Sequence, residues 1–280
     1  MGYKKIMELL EAAKMGDLDK IKLLIDKNYD INYEDENGYN ALILASFNGH
    51  IKTVEYLVEN GADINKQDKD SRTALDYASQ NGHAKIVKYL IDKGAYIKDS
   101  YALVYASENG HLEAVKLLVD NGCDIKDSYV LSYALLGGHL DIVKYLIEKD
   151  AGIIKNSYAL MIASQRGDLE TIKLLIDNGA DIHQSDSNNR TPLIYACGNG
   201  NTEAIDFLIE NGANINQSDN NNRTPLIYAC ANGHLEAVKC LLKKEDIINK
   251  TDIDNKTALN YALEKGYSEI AELLKDNGYE

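Results

Sequence analysis

The sequence predicts an all-α solenoid of about nine stacked helix-turn-helix units, and three features of the chain carry that prediction. A glycine recurs at Gly16, Gly49, Gly82, Gly110, Gly138, Gly167, Gly200, Gly233 and Gly266, with successive spacings of 33, 33, 28, 28, 29, 33, 33 and 33 residues. Regular spacing in this range marks units that lean on one another rather than independent globules. On either side of the glycine lies a short segment with apolar residues at helical spacing. Turn signals such as Asp35-Glu36-Asn37-Gly38 separate one pair of segments from the next.

Residues 35–65 show how one unit works. Asn37-Gly38 favours positive φ at low cost. From Asn40 to Asn48, Leu42, Leu44 and Ala45 share a helical face. Gly49 breaks that helix in the manner of a left-handed cap. Ile51, Val54, Leu57 and Val58 mark a second helix, which Gly61 ends. Each helix is about three turns long and too short to persist alone in water. The pair must bury its apolar face against its neighbours.

Residues 191–196 read Thr-Pro-Leu-Ile-Tyr-Ala and recur unchanged at 224–229. Pro192 and Pro225, the only two prolines, fall where a first-turn proline is tolerated because its missing N–H would be unpaired anyway. Thr73-Ala74-Leu75 and Thr257-Ala258-Leu259 are weaker copies. With Gly110-His111-Leu112 and Gly61-Ala62-Asp63-Ile64-Asn65, these motifs resemble the ankyrin-repeat family over nearly the whole chain. The resemblance implies helix pairs stacked into a curved solenoid, short β-hairpin fingers projecting at their ends, and a partner protein bound on the concave face. It reads residues 1–280 as a single domain. Residues 1–35 form an N-terminal capping repeat, 36–98 full-length repeats, and 99–186 short, finger-poor repeats. Full-length repeats return over 187–252, and 253–280 form a C-terminal capping repeat.

The chain departs from the family pattern in three ways. Where the motif has His after Thr-Pro-Leu, this chain has Ile43, Asp76, Ile194, Ile227 and Asn260, so that residue's hydrogen bonds must be missing or replaced. Asn28, Asp150 and Glu245 stand where a capping glycine belongs. Asn tolerates a left-handed backbone, whereas Glu there costs roughly 1 kcal/mol. Finally, nine steps separate Ile64 from Thr73, but only four separate Ile97 from Tyr101, Ile125 from Tyr129 and Ile154 from Tyr158. The five missing residues are those that would build a finger. Three consecutive finger-less junctions are expected, with Ser100, Ser128 or Ser157 near the next N-cap. Tyr101, Tyr129 and Tyr158 replace Thr at the helix start. The gap either opens a notch for a bulky partner or reflects short repeats that stack acceptably.

Composition narrows the function classes. The 44 acidic residues outnumber 30 basic ones, giving a net charge of -14 spread along the chain. No clustered basic surface offers itself to a polyanion, so nucleic acid is not an expected partner. The acidity reads as a solvated surface or as attraction for a basic partner. No apolar run is long enough to cross a membrane. The N-terminus moves straight into an amphipathic pattern with Glu8 and Glu11, unlike a secretory signal. Ile6 occupies the place where a myristoylation signal needs Ser or Thr. Four cysteines without paired spacing fit a reducing compartment. The expectation is a cytoplasmic monomer that does not associate with membranes, although signal-less secretion escapes this reasoning.

Candidate chemistry dissolves into the repeat. His50, His83, His111, His139 and His234 directly follow anchor glycines. Equivalent positions in stacked units lie about 10 Å apart, too far to converge on one metal ion, so these histidines read as structural. His183 replaces the asparagine of the usual loop and is expected at the surface. Cys197 and Cys230 share one repeat position and read as small buried packing residues. Cys123 and Cys240 have no partner spacing, and no His is placed to activate any thiol. Tyr77, Tyr105, Tyr133, Tyr195, Tyr228 and Tyr261 stand five residues before an anchor glycine and predict a ladder with hydroxyls at its edge. No phosphate-binding loop or catalytic constellation appears, so neither a cofactor nor enzyme activity is expected.

The resemblance places the inner face on the fingers and on the first-helix residues just before the anchor glycine. Carried over, the candidate partner-binding residues are Tyr39, Phe47, Arg72, Gln80, Glu108, Leu136, Arg166, Arg190, Arg223 and Lys256. Phe47 and Leu136 are apolar where exposure is expected. Arg72, Arg190, Arg223 and Lys256 share a finger position and would form two short basic rows, able to set orientation and association rate. The expected function is a protein-interaction scaffold or adaptor. The alternative is an acidic decoy or secreted effector for a basic, nucleic-acid-binding protein.

Overall fold

The computed structural model describes residues 2–98, 101–126, 128–154, 158–244 and 246–279. Among these the chain is helical throughout, with one isolated antiparallel bridge between Glu34 and Asn40. It divides into two compact units, residues 1–146 and 147–280. In the first, helix pairs follow in order: α1 Gly2–Met15 and α2 Leu18–Asp26, α3 Ala41–Phe47 and α4 Ile51–Glu59, α5 Ala74–Gln80 and α6 Ala84–Asp92. Next come α7 Ala102–Glu108 and α8 Leu112–Asp120, then α9 Ser128–Gly137 and α10 Leu140–Lys149, the last running past residue 146. The second unit holds a 3-10 turn at Ala151–Ile154, α11 Ala159–Arg166 and α12 Leu169–Asp177, and α13 Pro192–Gly198 with α14 Thr202–Glu210. It ends with α15 Pro225–Ala231 and α16 Leu235–Leu242, and α17 Ala258–Glu264 with α18 Ser268–Asp276.

Local chemistry sets these boundaries. Asn40, in extended backbone, accepts from the Ile43 N–H at 2.8 Å and starts α3. Thr191 and Thr224 do the same for α13 and α15, with Pro192 and Pro225 in the first turn as predicted. Asp76 and Asn260 stand in for the family histidine: each accepts from the backbone N–H and hydroxyl of its capping threonine, Thr73 or Thr257, in a capping box. At Ile43, Ile194 and Ile227 the same position is filled by buried hydrocarbon instead. Helix ends are also tied. The Asn48, Asn81, Asn199 and Asn232 side chains each donate to the carbonyl four residues back, at 2.8–3.0 Å. The glycine that follows turns left-handed, with φ of 80° at Gly49.

Packing follows the predicted pairing. In the first unit α1, α3, α5, α7 and α9 pack in succession, as do α2, α4, α6 and α8. In the second, α11, α13, α15 and α17 form one row, and α12, α14, α16 and α18 the other. In the first unit Leu42, Leu57, Leu75, Leu90, Leu103 and Leu118 are among the wholly buried residues. Burying each contributes about 1.5–3 kcal/mol. One buried column holds mostly small side chains: Ser46, Ser79, Ser107, Ser164, Cys197 and Cys230 all stand three residues before an anchor glycine, with Leu135 in the same place before Gly138. This accounts for the burial of Cys197 and Cys230.

The anchor glycines do more than end helices. His50, His83, His111, His139 and His234 each lie against the anchor glycine of the repeat before their own. A Cβ on Gly49 would stand 2.6 Å from the His83 ring, and one on Gly82 2.5 Å from His111. Each ring then bonds, through Nε2, the carbonyl two residues before that glycine: His50 to Lys14 at 2.9 Å, and His83 to Phe47, His111 to Gln80, His139 to Glu108 and His234 to Gly198 at 3.0 Å. Asn201 takes this place over Gly167, bonding the carbonyls of Ser164 and Gln165, and Tyr267 covers Gly233. The histidines are structural, as their spacing implied.

The expected β-hairpin fingers prove to be single turns. In each, one aspartate Oδ1 accepts two backbone N–H groups: Asp68 from Asp70 and Arg72, Asp186 from Asn188 and Arg190, Asp219 from Asn221 and Arg223. The turn closes by a backbone bond, as from Asp68 N–H to the Arg72 carbonyl at 2.9 Å. A segment this short has no length for a strand ladder, and a side-chain carboxylate replaces it. Successive turns are joined by backbone bonds, from Lys69 N–H to Asn37 O at 3.0 Å and from Asn220 N–H to Asn188 O at 2.9 Å. The Asn189 and Asn220 side-chain amides reinforce the latter, donating to the Ser218 and Ser187 carbonyls. These turns are missing in the short repeats, where α8 ends at Asp120 and α9 starts at Ser128. Tyr101 and Tyr158 are the N-caps of α7 and α11 and make no side-chain capping bond. Ser100 and Ser157, expected there, lie outside the described residues, as does Glu245. Asn28 is left-handed, with φ of 59°. Asp150 instead leads into the 3-10 turn, its Oδ1 accepting the Gly152 N–H at 2.8 Å.

Two glycines separate backbone strain from steric exclusion. Gly61 has φ of 91° with open space around the absent Cβ, so Gly61→Ala is expected to cost about 1–2 kcal/mol. Gly49→Ala adds displacement of the His83 ring and loss of its hydrogen bond, for a total of about 3–4 kcal/mol. Urea unfolding of both variants measures the difference, and equal losses would remove the imidazole contact as a stabilising element.

Candidate partner-binding surface

Four ladder tyrosines are each tied to the aspartate of their own turn. Tyr77 donates its hydroxyl to Asp68 Oδ2 at 2.6 Å, and Tyr195 and Tyr228 donate to Asp186 and Asp219 at 2.8 Å. Tyr261 donates likewise to Asp252. Each pair lies nine residues apart in sequence, so the turn is braced against the helix that follows it. Burial first, then the aspartate beside it, raises the Tyr228 phenol to about 12. Asp186 and Asp252 go the other way. Burial pushes these carboxyls up, but hydrogen bonds from tyrosine, backbone and arginine outweigh it and hold both below the ordinary value.

These pairs absorb the expected basic rows. Arg190 pairs with Asp186 at 2.7 Å and lies 5.0 Å from the Tyr195 ring centre. Arg223 reaches Asp252 at 3.5 Å and covers Tyr261 at 5.5 Å. Lys256 pairs with Glu264 at 2.8 Å, and Arg72 lies over the Tyr77 and Tyr105 rings at 5.9 and 5.1 Å. The cations occupy the predicted position, yet their charge is engaged within the protein. The aspartates that hold Arg190 and Arg223 were not singled out from sequence. The signal was present as an Asp nine residues before the ladder tyrosines Tyr77, Tyr195, Tyr228 and Tyr261.

Other predicted residues remain at the surface. Phe47 is 44% exposed and Leu136 53% exposed, each at the end of a first helix. Tyr39 and Phe47 both meet the Tyr77 ring edge-on, with centres 5.9 and 5.7 Å apart. Together with Lys14, Ile43, Leu44 and Asn48 they line an open cleft of about 200 Å³. Gln80 is half-buried, and Glu108 and Arg166 are exposed. The structure thus joins Tyr39, Phe47 and, through Tyr77, Arg72. Leu136 lies on α9, and Arg166, Arg190, Arg223 and Lys256 belong to the second unit. His183 is exposed, as expected. Burial raises the Cys230 thiol to about 12 and Cys197 well above its usual value. Among the described residues no group of His, Cys, Asp or Glu is arranged to hold a metal ion, and no helix is long and apolar enough to cross a membrane.

A carboxyl held below its ordinary value stabilises the fold above the unfolded pKa of about 4 and loses that contribution as pH falls through the folded value. Asp252→Asn is therefore expected to cost about 2 kcal/mol at neutral pH. The difference from wild type should close below about pH 4. Thermal melts across this range test the assignment, and a pH-independent difference would reject it.

A sequence model of ankyrin repeats matches residues 9–101, 98–159, 131–219, 160–252 and 213–280. No curated protein matches the chain. Ankyrin repeats generally mediate protein–protein interaction and typically serve as non-enzymatic binding scaffolds. Those matches, the stacked helix pairs and the glycine–imidazole contacts lead to one conclusion: the chain belongs to the ankyrin-repeat family.

Proposed function

We propose that this protein is a cytoplasmic, monomeric adaptor that catalyses no reaction and binds a partner protein across its first-helix and turn face. The observation that carries this reading is the cleft beside Phe47. Its walls are largely hydrocarbon and aromatic, and a large apolar side chain stands exposed at its edge on an otherwise acidic protein. Aromatic residues in such settings are the ones that anchor interfaces. Leu136, with Gln80 and Glu108 on the helices between, extends the proposed contact along the first unit. In the second unit Arg166, Arg190, Arg223 and Lys256 are proposed as polar contacts for a partner. The three latter cations are preorganised by their own acids and rings, which lowers the entropy lost on binding.

Net charge of -14 favours a second reading, in which the acidic surface attracts a basic, nucleic-acid-binding protein. The two differ in mechanism: apolar anchoring is nearly indifferent to salt, whereas charge mimicry weakens steeply with it. The test is affinity capture with wild type and a Phe47→Ala/Leu136→Ala double variant, at low and high salt. Loss of an anchor of about 2 kcal/mol weakens capture roughly thirtyfold, while helical circular dichroism stays unchanged. Undiminished capture by the double variant removes the proposed face.

A further inference from the structure

We propose that the Asn37–Gly38 pair is a modification site, at which the asparagine amide is lost to water and the backbone is rerouted through an isoaspartate. The chain holds eleven Asn-Gly pairs. Glycine leaves the amide nitrogen after the asparagine unshielded, which opens this dipeptide to the reaction. Ten of the pairs close a helix. Each of these asparagines is a C-cap, and its side-chain amide donates to the carbonyl four residues back at 2.7–3.0 Å. Asn37 is the exception. It stands exposed in the turn that Asp35 organises, and its contacts run through the backbone. Its N–H donates to Asp35 Oδ1 at 2.8 Å, and its carbonyl accepts from the Lys69 N–H at 3.0 Å. Among the described residues nothing holds its side-chain amide.

The reaction is an attack by the Gly38 backbone nitrogen on Asn37 Cγ. A C–N bond forms, the Cγ–Nδ2 bond breaks, and ammonia leaves with the proton that the Gly38 nitrogen gives up. Water then opens the cyclic imide at either carbonyl. Opening at Cγ gives aspartate. Opening at the main-chain carbonyl gives isoaspartate, in which the chain continues through Cγ and the former main-chain carbonyl becomes a free carboxylate. No electrons are exchanged, and water is the only co-reactant. The Gly38 N–H is bonded to the Asp35 carbonyl at 3.0 Å, but Gly49, Gly61, Gly82 and Gly200 bond likewise to the carbonyl three residues back at 3.2–3.3 Å. The nucleophile is restrained at both kinds of site, so the side-chain amide sets Asn37 apart. A tied amide must break its hydrogen bond before Cγ can turn toward the next nitrogen, which slows the step about fivefold. The position gives the change a structural effect. The Asn37 carbonyl, which joins this turn to the next, is the group that isoaspartate removes from the main chain. Gly38 packs so closely on that next turn that a Cβ would stand 2.9 Å from Asp68 Cα. Tyr39, beside it in sequence, lines the cleft at Phe47.

The test is peptide mapping by mass spectrometry of the full chain, aged at physiological temperature and mildly alkaline pH, both folded and in urea. In the folded chain Asn37 should convert at least about fivefold faster than any helix-end asparagine. In urea, where no helix holds an amide, the eleven rates should converge. Hydrogen exchange reads the consequence: in the isoaspartyl form the Lys69 amide should exchange at least about fivefold faster than in fresh protein. An Asn37→Asp variant has the new charge on the original backbone and should keep Lys69 protected. Asn37→Gln should stay unconverted after the same ageing. Conversion of Asn37 no faster than at the helix ends overturns the site. An excess of the same size in urea assigns it to local sequence and overturns the role of the untied amide. Unchanged Lys69 protection in the isoaspartyl form overturns the structural effect. No readout involves a partner, so the outcome is independent of the adaptor reading.

Discussion

A glycine without a side chain and the imidazole that fills its place hold neighbouring repeats together. Neither of the two short helices in a unit persists by itself, and the last carbonyls of each first helix lack intrahelical donors. The ring from the following unit solves both problems. It packs on the left-handed glycine, where a Cβ would collide with it, and it bonds the carbonyl two residues upstream. One helix end is thus completed by the next repeat. Stability of this kind is shared between neighbours, so a lesion at one junction is felt by both units that meet there.

The short repeats keep this contact although they lack five residues elsewhere. His111 lies over Gly82 and His139 over Gly110 in the same geometry as His83 over Gly49. Removing the turn therefore changes the edge of the stack without disturbing its register. What disappears is the second layer of organisation, in which a buried carboxylate such as Asp252 gathers a phenol, two backbone N–H groups and a guanidinium. An acid so placed needs all of these partners, because an uncompensated buried charge is strongly destabilising. Its loss along with the turn is consistent: a short repeat holding the aspartate alone would carry the cost without the compensation.

Much of the fold was legible because spacing and side-chain size report directly on packing. The repeated glycine, the first-turn prolines Pro192 and Pro225, and the burial of Cys197 and Cys230 all follow from geometry that recurs. The turns were harder. Asp35-Glu36-Asn37-Gly38 reads equally well as the tip of a hairpin or as a free-standing turn, and only the acceptor role of the aspartate decides between them. The surface was harder still. Arg190 and Arg223 looked like a row offered to a partner, yet each has an acid and a ring close by in space. Sequence spacing gives the position of a cation and not what neutralises it. Phe47 and Leu136 were recognisable as exposed apolar residues, whereas the cleft beside Phe47 required Tyr77 from the next helix pair.

The column of small residues has a consequence for chemistry in the cell. Where Ser46, Ser79, Ser107 and Ser164 are buried in other repeats, Cys197 and Cys230 are buried in theirs, and loss of water pushes their thiols far from ionisation. Oxidants and alkylating agents attack the thiolate, so these sulfurs stay silent while the repeats remain closed. They become reactive only when helices separate, and their rate of modification then reports how often this part of the stack breathes.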